Sequence, residues 1–212
     1  MCGRYALYAA PEDVARAFGL ATAPPVAARW NIAPGGEVLA VRLGGAGREC
    51  ARLHWGLVPH WASDPAAGPR PVNARIETAA DRPLFRSAFR DRRCLIPASG
   101  FYEWRREGRR RVPFFVFPAH APLIAFAGLW ERWQSGGVLE SCAILTAAAK
   151  GELRALHERM PLVLPPAAYD AWLERGKLPG ANASAVELRF HRVSPAVNSA
   201  ANDGPALILP AG

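Results

Sequence analysis

Two pairs of strand-like segments occupy the middle of the sequence and constrain the fold more than any other feature. Residues 94–118 contain an apolar run followed by a hairpin whose turn is predicted at Glu107-Gly108. Residues 123–133 and 138–149 form a second pair of apolar runs around Gln134–Gly137. Short turns of this kind join antiparallel strands, whereas parallel strands need long crossover connections. We therefore predict an α+β fold: one domain with a mainly antiparallel, barrel-like β-sheet and a few flanking helices.

Shorter elements are predicted on both sides of these strand pairs. Pro11 in a first turn and Gly19 after a last turn mark one helix. Further helices are predicted at residues 83–91, 151–159 and 166–176, and further strands at 37–43, 50–59, 160–165 and 186–194. Residues 30–35 (WNIAPG) are predicted to form a turn, and the Pro- and Gly-rich residues 60–71 a loop. Because no repeat or interior linker divides the chain, we expect one domain.

Arginine is concentrated in one stretch of the chain. The net charge is +8, and residues 70–111 alone carry twelve arginines against five acidic residues. Guanidinium groups match the geometry of phosphate oxygens, and a surface with this charge attracts polyanions. The stretch therefore favours a nucleic acid as the partner. A basic face exposed to solvent is the alternative that the composition leaves open.

The four cysteines are not spaced like a disulfide framework or a zinc site. Cys50, Cys94 and Cys142 lie in or beside apolar runs, so we expect them to be buried thiols of the core. No segment approaches the ~20 apolar residues of a membrane span, and no signal-peptide pattern begins the chain. These observations predict a soluble cytoplasmic protein without a metal or another cofactor.

Cys2 differs from the other cysteines because only Met1 precedes it. Removal of Met1 would create a 1,2-aminothiol, whose amine titrates near ~7.7–8.0 and whose thiol titrates near ~8.5. This group has one distinctive reaction: the amine condenses with an aldehyde, and the thiol closes on the imine to form a thiazolidine. Alternatively, the amine could act as the base for its own thiol, as in N-terminal-nucleophile hydrolases. A cysteine without function at this position is the third interpretation.

Three further stretches contain side chains suited to a site. Asn73 and Arg75 follow the Pro- and Gly-rich loop, where a rigid turn could present them to a ligand. Glu103 lies among aromatic residues, which can desolvate a carboxyl and raise its pKa for proton transfer. His157 and Arg159 follow a predicted helix, and an imidazole titrates in the range of acid–base catalysis. An exposed strand glutamate and a structural histidine remain the plainer interpretations.

An ordered set of motifs gives the chain a specific family resemblance. The motifs run through most of the chain and are MCGRYA, WNIAP, WGLVPHWA, NARIET, FRSAFRDRRCLIPASGFYEW, FAGLWE, ILTAAA, LHERMP and AVNSAANDGP. In this order they resemble the SRAP family, the SOS response-associated peptidase-like proteins. The resemblance implies an SRAP fold over residues 1–209, followed by a short tail at residues 210–212.

The resemblance also implies a function. SRAP proteins are sensors of abasic sites in single-stranded DNA, so an exposed Cys2 would form a covalent thiazolidine with the ring-opened deoxyribose. The crosslink would shield the lesion during the DNA damage response. The implied partner is single-stranded DNA with abasic sites, including those at single-strand/duplex junctions. The implied protein is a monomer that associates with the nucleoid when it is bound to DNA.

By residue-wise match, the resemblance assigns roles within such a site. Cys2 would be the nucleophile, and Asn73 would position its amine or an adjoining phosphate. Glu103 would transfer protons through the Schiff base, and His157 would assist ring opening and reversal of the crosslink. The implied DNA-binding residues are Arg4, Trp61, Arg75, Thr146 and Arg159.

Two rival functions remain. A peptidase or amidohydrolase would use Cys2 as an N-terminal nucleophile and could remove Met1 autocatalytically. It would have no need of the arginine-rich stretch. A non-covalent single-strand binder would use arginines together with base stacking on Trp55, Trp61 and Trp104. It would have no need of the cysteine.

Overall fold

The structure is a computed structural model that describes residues 2–178 and 186–211. Met1, whose removal is central to the predicted chemistry, lies outside the described residues, as does Gly212 of the predicted tail. The strands of the described chain are β1 (Tyr5–Leu7), β2 (Arg29–Ile32), β3 (Glu37–Gly44), β4 (Gly47–Trp55), β5 (Asn73–Arg75), β6 (Arg93–Ala98), β7 (Gly100–Glu107), β8 (Arg110–Pro118), β9 (Ile124–Trp133), β10 (Leu139–Ala148), β11 (Arg159–Pro161), β12 (Val163–Leu164) and β13 (Leu188–Arg192). The α-helices are α1 (Pro11–Phe18), α2 (Ile76–Ala79), α3 (Arg86–Asp91) and α4 (Tyr169–Arg175).

Five of these strands close into a barrel. Around its wall the order is β3, β4, β10, β9, β6 and back to β3, and every neighbouring pair is hydrogen bonded. All pairs of the ring are antiparallel except β4 with β10. Strands β5 and β11 extend the wall beside β10, and β12 extends it beside β9. The predicted α+β class with a mainly antiparallel, barrel-like sheet is confirmed.

The barrel wall is tightly packed where β6 and β9 meet. Strand β6 is buried along its whole length, and its Cys94 lies opposite Gly128 of β9. A Cβ atom at Gly128 would come within 2.8 Å of the Cys94 Sγ. Any side chain at this position would therefore have to displace the Cys94 thiol, and glycine leaves room for it.

A second, antiparallel sheet packs against the barrel. Its strand order is β13, β8, β7, β1, β2. The ring of Tyr5 in β1 is fully buried and contacts two aromatic rings of the barrel, Trp55 at 5.4 Å and Phe126 at 5.8 Å between centroids. Since Cys2 precedes Tyr5 by three residues, this packing fixes the beginning of the described chain at the junction between sheet and barrel.

Several segments differ from their predicted secondary structure, because pairing with strands distant in the sequence determines their conformation. Residues 30–32 of the predicted turn belong to β2, which pairs with β1. The helix predicted at residues 151–159 is reduced to a 3-10 turn at Gly151–Ala155, because the chain reverses to bring β11 onto β10. The strand predicted at residues 160–165 divides into β11 and β12, because the chain passes from β10 to β9.

Other local predictions are confirmed. Helix α1 lies within the predicted range and is followed by Gly19 at a φ of 64°, the left-handed conformation that favours glycine. Helices α3 and α4 also lie within predicted ranges. Cys94 and Cys142 are buried, whereas Cys50 is only half-buried because it lies on the outward side of β4. Within the two described ranges, no helix combines the length and the apolar character that crossing a bilayer requires.

Two residues of the predicted tail are bonded to the domain. Pro210 forms an isolated β-bridge with Val193. The backbone N–H of Ala211 donates to the carbonyl of Arg192, with an N–O distance of 2.9 Å. These contacts continue the pairing of β13 beyond its last residue.

One arginine of the basic stretch serves the fold. Arg93 on β6 is 8% exposed, and its guanidinium donates to the carbonyls of Trp172 (2.8 Å) and Glu174 (2.9 Å) in α4. It also donates to the carbonyl of Phe89 in α3 at 2.7 Å. Carbonyls in the last turn of a helix have no partner within the helix. Arg93 therefore satisfies the ends of two helices and does not belong to a basic surface.

Candidate active site at the beginning of the chain

Strand β10 gathers four of the predicted site residues. Strand β5 lies parallel to β10 and places Arg75 opposite Thr146, with Asn73 two residues earlier. Strand β11 lies antiparallel to β10 and places Arg159 opposite Ala148. Residues 73–75, predicted to belong to a rigid turn, are thus a strand with a fixed direction. A short length of one strand brings together residues that are far apart in the sequence.

Asn73 holds the beginning of the chain. Its side-chain Nδ2 donates a hydrogen bond to the carbonyl oxygen of Cys2 at 2.8 Å. Its Oδ1 atom is buried and has no hydrogen-bond partner among the described residues. Burying an amide oxygen without a partner costs free energy, so Oδ1 is available to accept an N–H group beside Cys2. The structure thus brings together Asn73 and the predicted nucleophile.

Cys2 is fully buried. It belongs to the same apolar cluster as Tyr5 and Trp55, at the junction of barrel and sheet. Burial raises the pKa of the Cys2 thiol well above its usual range, and the negative charge of Glu103 raises it further. The thiol is therefore protonated at neutral pH, and a base must remove its proton before the sulfur can act as a strong nucleophile.

Glu103 on β7 is a buried carboxyl group, only 4% exposed. Its neighbours in the strand are Tyr102 and Trp104, and Phe114 of β8 lies opposite. Burial raises the pKa of Glu103 to about 7, while the positive charge of the chain's amino terminus acts in the opposite direction. The predicted desolvation is confirmed, and the alternative of an exposed strand glutamate is wrong. A carboxyl group that titrates near neutral pH can both give and accept protons.

His157 is half-buried between the 3-10 turn and β11. The backbone N–H of Arg159 donates to its Nδ1 atom at 2.9 Å, which leaves the proton of the neutral ring on Nε2. Burial lowers the pKa of His157, and the charges of the amino terminus and of Arg111 lower it as well. The ring is therefore neutral at neutral pH. The charge of Glu103 acts on the Cys2 thiol, so these two groups lie near each other. The role of His157 beside them stays a prediction.

Glu77 is a site residue that the sequence reasoning missed. Both terminal nitrogens of Arg159 bind its carboxylate, at 2.6 and 2.8 Å, and one of them also donates to the carbonyl of Thr146 at 2.6 Å. These hydrogen bonds lower the pKa of Glu77. Glu77 lies in the NARIET motif, but Arg159 is 82 residues away in the sequence. No sequence pattern therefore indicates that the two residues form an ion pair. Arg75, in contrast, is exposed and has no ion pair within the described ranges.

Arg4 is occupied by contacts within the protein. Its guanidinium donates to the Oδ1 atom of Asn31 at 2.7 Å and to the carbonyl of Val197 at 2.8 Å. It also lies over the indole ring of Trp104, 5.9 Å from the centroid. Arg4 therefore ties the carboxy-terminal part of the chain to β2. Its contact with DNA stays a prediction.

The tryptophans considered for base stacking differ in their access to a ligand. Trp55 is fully buried, so it cannot stack on a base. Trp104 is half-buried, and Trp61, on the loop after β4, is 61% exposed. None of the hydrogen bonds or ring contacts within residues 2–178 and 186–211 joins Trp61 to the group around Cys2. Its place in the same groove stays a prediction.

The chemistry available here is proton transfer to and from a nucleophile, next to a group that binds anions. The described residues contain no cluster of three His, Cys, Asp or Glu side chains that could hold a metal ion. What they do contain is a thiol, a carboxyl group that titrates near neutral pH, a neutral imidazole and an exposed arginine.

Comparisons with known proteins give matches over nearly the whole chain. The family described as SOS response associated peptidase (SRAP) matches residues 1–200. The chain is similar to the abasic site processing protein YoqW of Bacillus subtilis (33% identical, covering 98% of this chain and 99% of that protein). It is also similar to the abasic site processing protein YedK of Escherichia coli K12 (32% identical, covering 99% and 100%). A crystal structure of a Bacteroides thetaiotaomicron protein shares the fold, with a TM-score of 0.85 at 21% identity over 99% of this chain and 100% of that one.

Proposed function

Because the chain belongs to the SRAP family, we propose that it processes abasic sites in DNA by forming a covalent crosslink with them. Its relatives in Bacillus subtilis and Escherichia coli carry the name abasic site processing protein. The proposed partner is single-stranded DNA with an abasic site, including a site at a single-strand/duplex junction, and the protein acts as a monomer. Removal of Met1 frees the amine of Cys2, which bonds to the ring-opened deoxyribose and shields the lesion.

The amine of Cys2 is the first nucleophile in this proposal. Burial keeps the thiol protonated, whereas a terminal amine with a pKa of ~7.7–8.0 is partly free at neutral pH. The amine attacks the aldehyde carbon and gives a carbinolamine. Asn73 orients this step, because its Nδ2 holds the Cys2 carbonyl at 2.8 Å and its unpartnered Oδ1 can accept the amine's N–H.

Glu103 then transfers a proton in each of two steps: it first donates one and later accepts another. With a pKa of about 7, its carboxyl group is partly protonated at neutral pH and donates to the departing hydroxyl group of the carbinolamine. Water leaves and an iminium ion forms. The Glu103 carboxylate next takes the proton of the Cys2 thiol while the sulfur attacks the iminium carbon. The electron pair of the C=N bond returns to nitrogen, the thiazolidine closes, and Glu103 is protonated again.

His157 serves the steps before and after this ring closure. Opening the deoxyribose removes a proton from its hydroxyl group and adds one to the ring oxygen, and a neutral imidazole can exchange both. Reversal of the crosslink passes through the same transfers. Arg75, exposed beside Asn73, binds a phosphate next to the lesion. The other proposed DNA contacts are Arg4, Trp61, Thr146 and Arg159.

The observation that best supports this proposal is that Asn73 binds the Cys2 carbonyl while the buried carboxyl group of Glu103 lies near enough for its charge to act on the Cys2 thiol. A buried acid that titrates near neutral pH suits a reaction that needs both an acid and a base. The peptidase alternative keeps support from the family's description, since it would use the same cysteine. The two functions differ in substrate: one requires an aldehyde and the other an amide.

A comparison of three DNA strands tests the proposal. The strands share one sequence and carry an abasic site, an intact nucleotide, or an abasic site whose aldehyde has been reduced to an alcohol. We expect a slow band on a denaturing gel with the first strand alone. Absence of that band, with loss of Met1 verified by intact mass, would refute the crosslinking function. Peptide turnover without an adduct would favour the peptidase.

The role of Glu103 predicts a specific pH dependence. Crosslinking by the parent protein should be fastest between about pH 7 and 8: below this range the amine is protonated, and above it Glu103 loses its proton. Glu103→Gln keeps the size of the side chain but cannot shuttle a proton. The variant should crosslink more slowly by roughly 10²–10⁴-fold, and its rate should rise through the amine pKa without the alkaline decline.

Glu12→Gln is the matched control, because it makes the same change on an exposed glutamate of α1, outside the candidate site. It should keep the rate and the pH profile of the parent, measured as the initial rate of adduct formation from pH 5.5 to 9.5. If Glu103→Gln also keeps the parent's profile, another group transfers the proton.

A further inference from the structure

The hairpin of β7 and β8 continues past Glu103 as an arginine-rich arm. Beyond Trp104 it reads RREGRRR, with five arginines and one glutamate. Gly108, at a φ of 61°, and the following residue form the two-residue turn. The one glutamate, Glu107, is paired with Arg105. The arm therefore has four arginines more than acidic groups, and none of the functional roles above uses them.

Four arginines of this arm lack a counter-charge. Arg106, Arg109, Arg110 and Arg111 are all exposed. No carboxylate in the described ranges lies within ion-pair distance of any of them. Arginines elsewhere, such as Arg42, Arg48 and Arg159, do pair with carboxylates. Arg106 and Arg111 face each other directly across the two strands. Like charges in such a pair destabilise a sheet, so this arrangement costs stability in the free protein and is relieved when an anion binds.

The arm lies close to the candidate active site. Arg106 follows Glu103 by three residues on the same strand, or roughly 10 Å at the rise of an antiparallel strand, and its side chain lies on the opposite face of the sheet. The positive charge of Arg111 contributes to the lowered pKa of His157. On the face that carries Arg106 and Arg111, the next residue of β7 toward the sheet is Trp104. An aromatic ring flanked by unpaired guanidinium groups is the combination that binds single-stranded nucleic acid without reading its sequence.

We propose that the β7–β8 hairpin is a second strand-binding surface, on which Arg106 and Arg111 bind two phosphates of the DNA that flanks the abasic site on one side. The identity of the lesion rests on the proposed function, but the binding of phosphates does not. The arm holds the strand and takes no part in the covalent steps. An acidic protein surface would need carboxylates matched to each arginine, whereas phosphates repeat along any strand and suit a row of guanidinium groups.

The test compares Arg106→Gln/Arg111→Gln with Arg16→Gln/Arg132→Gln, a control that removes the same charge elsewhere. Arg16 lies on α1 and Arg132 on β9, and both are exposed. Affinity for an intact single strand, which cannot crosslink, is measured by fluorescence anisotropy from 50 to 300 mM salt. The hairpin variant should lower the slope of log affinity against log salt by about 1.4, the value for two single-strand phosphate contacts. The control should keep the parent's slope.

The outcomes separate this inference from the proposed function. A parent-like slope for the hairpin variant, or an equal loss in the control, would overturn the hairpin site even if the parent crosslinks abasic DNA. Failure of the parent to crosslink would refute the proposed function and leave the slope test intact. The test is then repeated with strands that extend from the abasic site only toward the 5′ end or only toward the 3′ end. The hairpin variant should lose affinity for one of these two strands and not for the other. Equal losses for both polarities, or an equal loss of binding to polyglutamate, would contradict the assignment.

Discussion

A Cys2→Ala variant is expected to form no adduct with abasic DNA that survives heat and denaturant. Met1 would still be removed before alanine, so the terminal amine and the imine step remain. The imine is reversible in water, and only the sulfur converts it into a stable ring. Non-covalent binding of the strand should change little, because the cysteine is buried while the exposed arginines bind phosphates.

Two additions make this experiment diagnostic. Reducing the mixture with borohydride should trap the imine of the Cys2→Ala variant as a stable amine, which shows that the loss lies in the thiol step. Cys50→Ala is the control, since it removes a thiol outside the candidate site and should crosslink as the parent does. Undiminished, heat-stable crosslinking by Cys2→Ala without reductant would eliminate the thiazolidine.

Much of the fold could be predicted because its signals are local. Alternating apolar runs joined by short turns predict the antiparallel strands, and Gly19 after α1 marks the end of a helix. The segments predicted wrongly are those whose state depends on a distant partner. Residues 30–32 contain a turn-like sequence but are strand because β1 lies beside them, and no window of sequence contains that information.

The candidate site shows the same division. The aromatic neighbours of Glu103 predicted its desolvation correctly, because they are adjacent in the sequence. The burial of Cys2 could not be predicted, since it results from the packing of β1, a strand of the second sheet, against the barrel. Glu77 was missed because its ion pair with Arg159 joins α2 to β11, two elements that are far apart in the sequence.

The arginine-rich stretch suggested a single basic surface, but in the structure its arginines have different roles. Arg93 satisfies helix ends, and Arg92 pairs with the buried Glu131 at 2.9 Å. Arginines without ion pairs in the described part of the chain include Arg75 beside the site and four of the five in the β7–β8 hairpin. Net charge therefore predicts the class of partner, and only the structure separates the guanidinium groups that can reach it.

A protein that keeps Met1 is expected to lose stable crosslinking as completely as the Cys2→Ala variant, although its thiol is intact. With Met1 in place the nitrogen of Cys2 is an amide and cannot form an imine. The thiol alone can add to an aldehyde, but burial raises its pKa, and the resulting hemithioacetal reverts in water. The proposed order of steps, with the amine before the sulfur, therefore requires the free terminus.

Two preparations of one sequence measure this effect. In one, a protease removes an amino-terminal extension and leaves Cys2 as the first residue; in the other, the extension is kept. Intact mass establishes the terminus of each, and a denaturing gel measures the adduct with fresh abasic DNA. The hydrogen bond from Asn73 Nδ2 to the Cys2 carbonyl does not involve the terminal amine, so thermal unfolding should show both proteins folded. Equal yields of heat-stable adduct from the two preparations would mean that the sulfur reacts without the amine, and the aminothiol mechanism would be wrong.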